Sequence, residues 1–214
     1  MARKPRPCNH CGELTPLEEF DVHDDHFEFF NALFGLVVCE KILGEISDVL
    51  WTLVLGPDRF VEAVKALSAH PYPEGDEDDD KWDETFKARK KTALELWTKW
   101  GLPGKERCCL CGAESTSQWS LDGMGFQKLD VDHFWVLSTC NDCCGRVVHT
   151  VVKTVLGEED YLEMVRVLEL HNPIVLAAEM SGDNALDERV TQERNEAIDK
   201  VLEDRQRRLL ESVP

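Results

Sequence analysis

Cys108-Cys109-Leu110-Cys111-Gly112 is followed, with 28 residues between Cys111 and Cys140, by Cys140-Asn141-Asp142-Cys143. Each Cys-x2-Cys pair is short enough for both sulfurs to face one point. Two such pairs supply the four thiolates of a closed tetrahedral Zn²⁺ shell, with bonds of about 2.3 Å. The glycine after Cys111 suits the sharp backbone turn of a metal-binding knuckle, because it tolerates positive φ. A chain built around such a centre needs a local fold that brings residues 108–111 against residues 140–143. Cys109 and Cys144 are left over and read as small buried residues, or as replacements for their neighbours in the shell.

A second knuckle, Cys8-Asn9-His10-Cys11-Gly12, opens the chain, and His23-Asp24-Asp25-His26 follows it. Cys8, Cys11, His23 and His26 form a candidate site of two cysteines and two histidines, since histidines three apart can share a helix face. The His-x2-His spacing is tighter than in usual fingers, and Cys39 is an alternative partner for the knuckle. The expectation is one Zn²⁺ per chain at Cys108, Cys111, Cys140 and Cys143, and a second at the N-terminal knuckle.

The 214 residues suffice for one large domain or two small ones, and an apolar fraction of 43% provides for a core. Met1 to Pro7 shows no apolar leader, and the apolar run Phe29 to Cys39 is too short to span a bilayer. Nine cysteines clustered in this way favour metal over disulfides in a reducing compartment. These features predict a soluble, cytoplasmic protein with no membrane partner. The net charge of −18 argues against unspecific nucleic-acid binding. From Lys87 to Leu156, however, ten Lys/Arg outnumber seven Asp/Glu, so the central region does not share that acidity.

Hydrophobic periodicity predicts a mainly α fold with a small zinc-stabilised β-hairpin module. Residues 25–55 read as a buried helical span, weakened at Gly35 and Gly44 and ended by Gly56-Pro57. A helix capped by Asp58 follows, with Phe60, Val61, Val64 and Leu67 on one face. The acidic run Glu74 to Asp80 reads as a solvated linker. Trp82 to Trp100 forms the next helix, its aromatic stripe inward and Lys87, Arg89, Lys90 and Lys91 outward. Gln118–Leu121, Gln127–Val131 and Phe134–Ser138 are short strand candidates. Val147, Val148, Val151, Val152 and Val155 then recur at helical spacing, and Gly157 ends that helix. Another helix closes at Asn172-Pro173, and an amphipathic helix runs from Leu186 to Val213. The expected organisation is 1–73, an N-terminal knuckle with a helical region; 74–81, the acidic linker; 82–180, a helix with the four-cysteine module and following helices; and 181–214, the C-terminal helix.

Knuckle, hairpin and helix-borne cysteine pair, in that order over residues 106–156, resemble a treble-clef zinc module. Asp130-Val131-Asp132-His133 between the cysteine pairs is also similar to the Asp-His of His-Me finger nucleases of the endonuclease VII type. That resemblance implies a metal-dependent nuclease with His133 as general base and Asp132 as a metal or orienting residue. The family's Asn or His after the last cysteine is Cys144 here, which leaves His149 as the substitute. No other catalytic constellation is present, and a closed four-thiolate shell keeps no position for substrate water. The sequence therefore favours a binding or adaptor protein over an enzyme. Its expected partner is a protein, with nucleic acid through Lys87 to Arg107 as the alternative.

Overall fold

The computed structural model describes residues 6–15, 19–22, 34–73, 79–104, 106–119 and 137–212. In chain order the elements are β1 (Arg6–Pro7), β2 (Leu14–Thr15), β3 (Glu19–Val22), β4 (Phe34–Val37), α1 (Glu40–Leu55), α2 (Pro57–Leu67), α3 (Asp79–Lys99), β5 (Ser117–Trp119), β6 (Leu137–Thr139), α4 (Asn141–Ser181) and α5 (Asn184–Ser212). The described fold is mainly helical. Its strands form three antiparallel pairs, β1–β2, β3–β4 and β5–β6. No helix among the described residues is long and apolar enough to cross a membrane. The chain divides into two compact units, Met1–Ile42 with Val148–Pro214, and Leu43–Val147.

In the Leu43–Val147 unit, Ile46, Leu50, Trp51, Leu55, Ala63, Leu67, Ala93 and Leu96 are buried. Pro57 occupies the first helical position of α2, where its missing N–H costs nothing. Asp58 sits in the first turn and does not cap; the N-cap is Gly56. A carboxylate there still faces the positive end of the helix dipole. α2 packs on α3. Lys99 Nζ lies 2.5 Å from Glu62 Oε1, and Trp100 Nε1 donates to Glu62 Oε2 at 3.2 Å. The Lys99 hydrogen bond pulls the Glu62 carboxyl below its usual range.

In the other unit, Val148, Val151, Val152, Val155, Met164, Leu168, Ile198 and Leu202 are buried. Gly157, at φ 73°, breaks the helical path of α4 where the sequence places a stop. The stop expected at Asn172-Pro173 does not occur, and α4 runs through Pro173 to Ser181. Proline removes one helical hydrogen bond, but Val175 and Ala178 are buried against Val190 and Leu186 of α5 beyond it. Burial outweighs the local break. Asp183 caps α5, its Oδ1 accepting from the Ala185 and Leu186 N–H groups at 3.1 Å.

The span expected to be helical over 25–55 is not helical throughout its described part. Phe34–Val37 is strand β4, paired with β3 from Glu19↔Val37 to Val22↔Phe34, and the helix starts only at Glu40. Leu36, Val37 and Val38 are all buried, and a strand buried on both faces has no alternation to distinguish it from a helix. α3 begins at Asp79, within the acidic run and before Trp82. Of the strand candidates, Gln118–Leu121 overlaps β5 and Phe134–Ser138 overlaps β6, with Ser117↔Thr139, Gln118↔Ser138 and Trp119↔Leu137 in register. Gln127–Val131 lies outside the described residues.

Candidate metal centres

The first centre is built by a knuckle, a strand pair and a helix start. Cys108 N–H donates to Ala113 O at 2.7 Å, and Gly112 N–H donates back to Cys108 O at 2.8 Å. Gly112 has φ 77°, so the glycine is required by the turn itself. Cys109 N–H bonds Ser138 O at 2.8 Å, which ties the knuckle to β6. Cys140 directly precedes α4, and Cys143 N–H reaches Cys140 O at 3.1 Å in the first turn.

This frame brings Cys108, Cys111, Cys140 and Cys143 together, with all four sulfurs within 4.8 Å of one another. Cys111 Sγ and Cys140 Sγ are 3.6 Å apart. A tetrahedral ion with bonds of about 2.3 Å sets its sulfurs about 3.8 Å apart, so the cluster has the dimensions of a metal shell. Its electrostatics agree. Burial opposes ionisation of Cys108, but the N–H groups of Cys140, Leu110 and Cys111 lower its pKa to about 6. Burial and the neighbouring thiols push Cys143 up. The bare cluster thus favours the thiolate at Cys108 while opposing ionisation of Cys111 and Cys143, a conflict that a bound cation removes. Cys109, pushed up to about 12 by burial, and Cys144 are not part of the four-sulfur cluster.

The second centre gathers Cys8, Cys11 and Cys39. Cys8 N–H donates to Glu13 O at 2.8 Å, Gly12 N–H donates to Cys8 O at 2.9 Å, and Gly12 has φ 76°. Asn9 is buried between its backbone N–H, which donates to Val37 O at 2.7 Å, and its Oδ1, which accepts from Val37 N–H at 2.6 Å. Cys11 Sγ lies 3.8 Å from Cys39 Sγ. Burial, and then the Cys8 thiol, push Cys11 up to about 12, while hydrogen bonds from the Cys11, His10 and Cys39 N–H groups hold Cys8 low against its own burial.

His10, inside this knuckle, is turned to other work. Its Nδ1 lies 3.1 Å from Thr154 O and 3.2 Å from Val155 O, so Nδ1 carries the proton. Arg205 of α5 holds the same segment. Its guanidinium donates to Asn9 O, to His10 O at 3.2 Å and to Val155 O at 3.1 Å, and its Nη1 lies 2.6 Å from Asp160 Oδ2.

Among the other expected site residues, His23, His26, Asp132 and His133 lie outside the described residues. His149 is paired with Tyr161, Nδ1 to Oη at 2.6 Å, and burial lowers its pKa. Cys39 enters the sequence reading only as an alternative partner. The signal that finds it is spacing: 27 residues separate Cys11 from Cys39, and 28 separate Cys111 from Cys140.

The chain matches no protein-family model, no curated protein and no solved structure.

Part of the basic stretch is engaged within the chain. Arg89 is buried, donates to Leu67 O at 2.9 Å and His70 O at 3.0 Å, and lies over the Tyr72 ring. It thereby satisfies carbonyls at and beyond the C-terminal end of α2. Lys87 pairs with Asp83, Lys99 with Glu62, and Arg107 donates to Gly112 O.

Proposed function

We propose that this chain is a zinc-stabilised binding protein whose partner is another protein, working in the reducing cytoplasm. The observation that carries the reading is the four-sulfur cluster of Cys108, Cys111, Cys140 and Cys143. Four thiolates with no other donor favour zinc over the oxygen-seeking magnesium and calcium ions and would close its shell, which is the arrangement of a structural site. Knuckle, strand pair and helix-borne cysteines in this order support a treble-clef assignment. A second zinc at Cys8, Cys11 and Cys39 takes its fourth ligand from a non-thiolate donor, and His23 and His26 are the nearest histidines in sequence outside the knuckle.

The choice of a protein partner rests on the surface of α4. Leu170, Ile174, Leu176 and Met180 are all at least half exposed on this one helix, and Met180 is 81% exposed. Apolar exposure concentrated in this way marks an interaction surface. Of the cations that would serve nucleic acid, Arg89 is buried on carbonyl partners and Lys87, Lys99 and Arg107 have partners within the chain, which leaves that alternative with less support. No observation favours the nuclease reading, since Asp132 and His133 lie outside the described residues.

The test is photo-crosslinking in cells from a probe placed at Leu170 or Met180. A discrete protein adduct that disappears in Ile174→Glu, with zinc content and helicity retained, supports the reading. Crosslinks to nucleic acid alone would replace it.

A further inference from the structure

The backbone frame around Cys8 recurs around Cys108. Pro7 pairs with Leu14 as Arg107 pairs with Glu114. Cys8 N–H to Glu13 O matches Cys108 N–H to Ala113 O, and Gly12 N–H to Cys8 O matches Gly112 N–H to Cys108 O. The two glycines have φ 76° and 77°. Asn9 N–H reaches Val37 O as Cys109 N–H reaches Ser138 O. Glu19↔Val37 of β3–β4 then stands where Gln118↔Ser138 stands in β5–β6. Cys39 precedes α1 as Cys140 precedes α4, and Ile42 N–H to Cys39 O at 3.0 Å matches Cys143 N–H to Cys140 O at 3.1 Å. Knuckles alone recur by chance of chemistry. Correspondence of the flanking pair, the strand register and the helix start is a stronger constraint.

We propose that residues 7–42 and 107–143 are two copies of one metal module, and that the first copy is a three-thiolate site with an exchangeable fourth ligand. Ile42, only 1% exposed, stands where the second copy has its fourth thiolate, Cys143. Among the described residues, no fourth His, Cys, Asp or Glu joins Cys8, Cys11 and Cys39. His10, the nearest histidine in sequence, bonds the Thr154 and Val155 carbonyls through Nδ1 and does not join the three sulfurs. The fourth ligand of this ion therefore comes from outside the knuckle and helix that hold the other three. In the second copy all four donors belong to that frame, and losing one means distorting a helix start. In the first copy an incoming chelator enters at the fourth position without disturbing Cys8, Cys11 or Cys39. The two ions consequently differ in lability, and the ion at Cys8, Cys11 and Cys39 exchanges first. This inference rests on the metal-binding reading above.

The experiment loads the full-length chain with Co²⁺ under anaerobic conditions and follows its thiolate-to-metal absorption during a challenge with excess EDTA. Two equivalents are expected, released in two separate phases. Loss of a single outer-shell partner shifts metal affinity about 10–100-fold, so a change of ligand should separate the phases by at least about ten-fold. Ile42→Cys should add a thiolate to the charge-transfer band and slow the fast phase towards the slow one. Cys39→Ser, a variant that does not depend on the fold accepting Cys at position 42, should abolish the fast phase and keep the slow one. One bound equivalent in the unmodified chain would overturn the inference while sparing the four-cysteine site. Two equivalents leaving in a single phase would also overturn it, as would Ile42→Cys leaving both rates unchanged. No bound metal would instead refute the metal-binding reading itself.

Discussion

Arg205 Nη1 lies 2.6 Å from Asp160 Oδ2, and the two side chains are only 11% and 13% exposed. The same guanidinium caps the carbonyls of Asn9, His10 and Val155, so one residue of α5 joins the first knuckle to the helix that follows Gly157. Arg205→Ala removes this donor from Asn9 O and His10 O, while Val155 O keeps His10 Nδ1–H, at a cost of about 2–3 kcal/mol for hydrogen bonds to a charged group. Arg208 also pairs with Asp160, so the carboxylate does not lose every cation. Urea denaturation of the variant should show that loss, and metal should leave the Cys8 centre faster while the Cys108 centre keeps its rate. Equal effects on both centres would contradict the local role.

The two knuckle glycines allow backbone strain and packing to be separated. A Cβ on Gly12 would lie 3.2 Å from Leu209 Cβ of α5, whereas a Cβ on Gly112 would meet nothing within 4 Å. Both substitutions place an L-residue at positive φ, costing about 1–2 kcal/mol. Gly12→Ala should therefore destabilise the chain more than Gly112→Ala, and the excess reports the contact with α5. Denaturation midpoints of the two variants, compared at unchanged m-value, measure it.

Burial lowers the pKa of His149 below its ordinary value of 6.5. The unfolded chain then binds more protons than the folded one as pH falls through that value, and stability drops with falling pH. The contribution is fully present above pH 6.5 and is lost below it as the unfolded-state histidine charges. In His149→Gln this part of the slope should vanish, although thiolate protonation still weakens the metal centres in acid. Stability curves of the two proteins between pH 7.5 and 5.5, an interval about one pH unit either side of the reference pKa, provide the check. Parallel curves would show that His149 is not held neutral.

Arg89→Met removes the donor to His70 O and one of two donors to Leu67 O, which keeps the His70 N–H at 3.0 Å. Loss of the His70 O partner and of the second Leu67 O partner costs about 1–3 kcal/mol, and Arg89→Lys should recover only part of it, because an ammonium does not reproduce the planar fork. Thermal unfolding of both variants tests this, and affinity for a mixed oligonucleotide should be unchanged in either. A fall in that affinity without a stability change would place Arg89 at a nucleic-acid surface.

The features legible in sequence are those carried by local chemistry. Cys108, Cys111, Cys140 and Cys143 come together because a knuckle and a helix start dictate their own geometry. The valines from Val147 to Val155 are buried at helical spacing, as their periodicity implies. What was not legible depends on partners distant in sequence. Phe34–Val37 reads as helix because its apolar run lacks alternation, and only pairing with Glu19–Val22 makes it a strand. Helix α4 passes Pro173 because α5 buries the residues beyond it. Arg89 reads as part of an outward basic face, yet the carbonyls of Leu67 and His70 draw it inward. Cys39 was recoverable from spacing alone, but only by comparing the whole interval between cysteines and not the knuckle.

The most direct test of the account is native mass spectrometry of the full-length chain purified without chelator. Two Zn²⁺ per chain are predicted, falling to one in Cys140→Ser with the remaining ion at Cys8, Cys11 and Cys39. A chain that carries no zinc and keeps its fold would contradict the claim that metal holds these modules together.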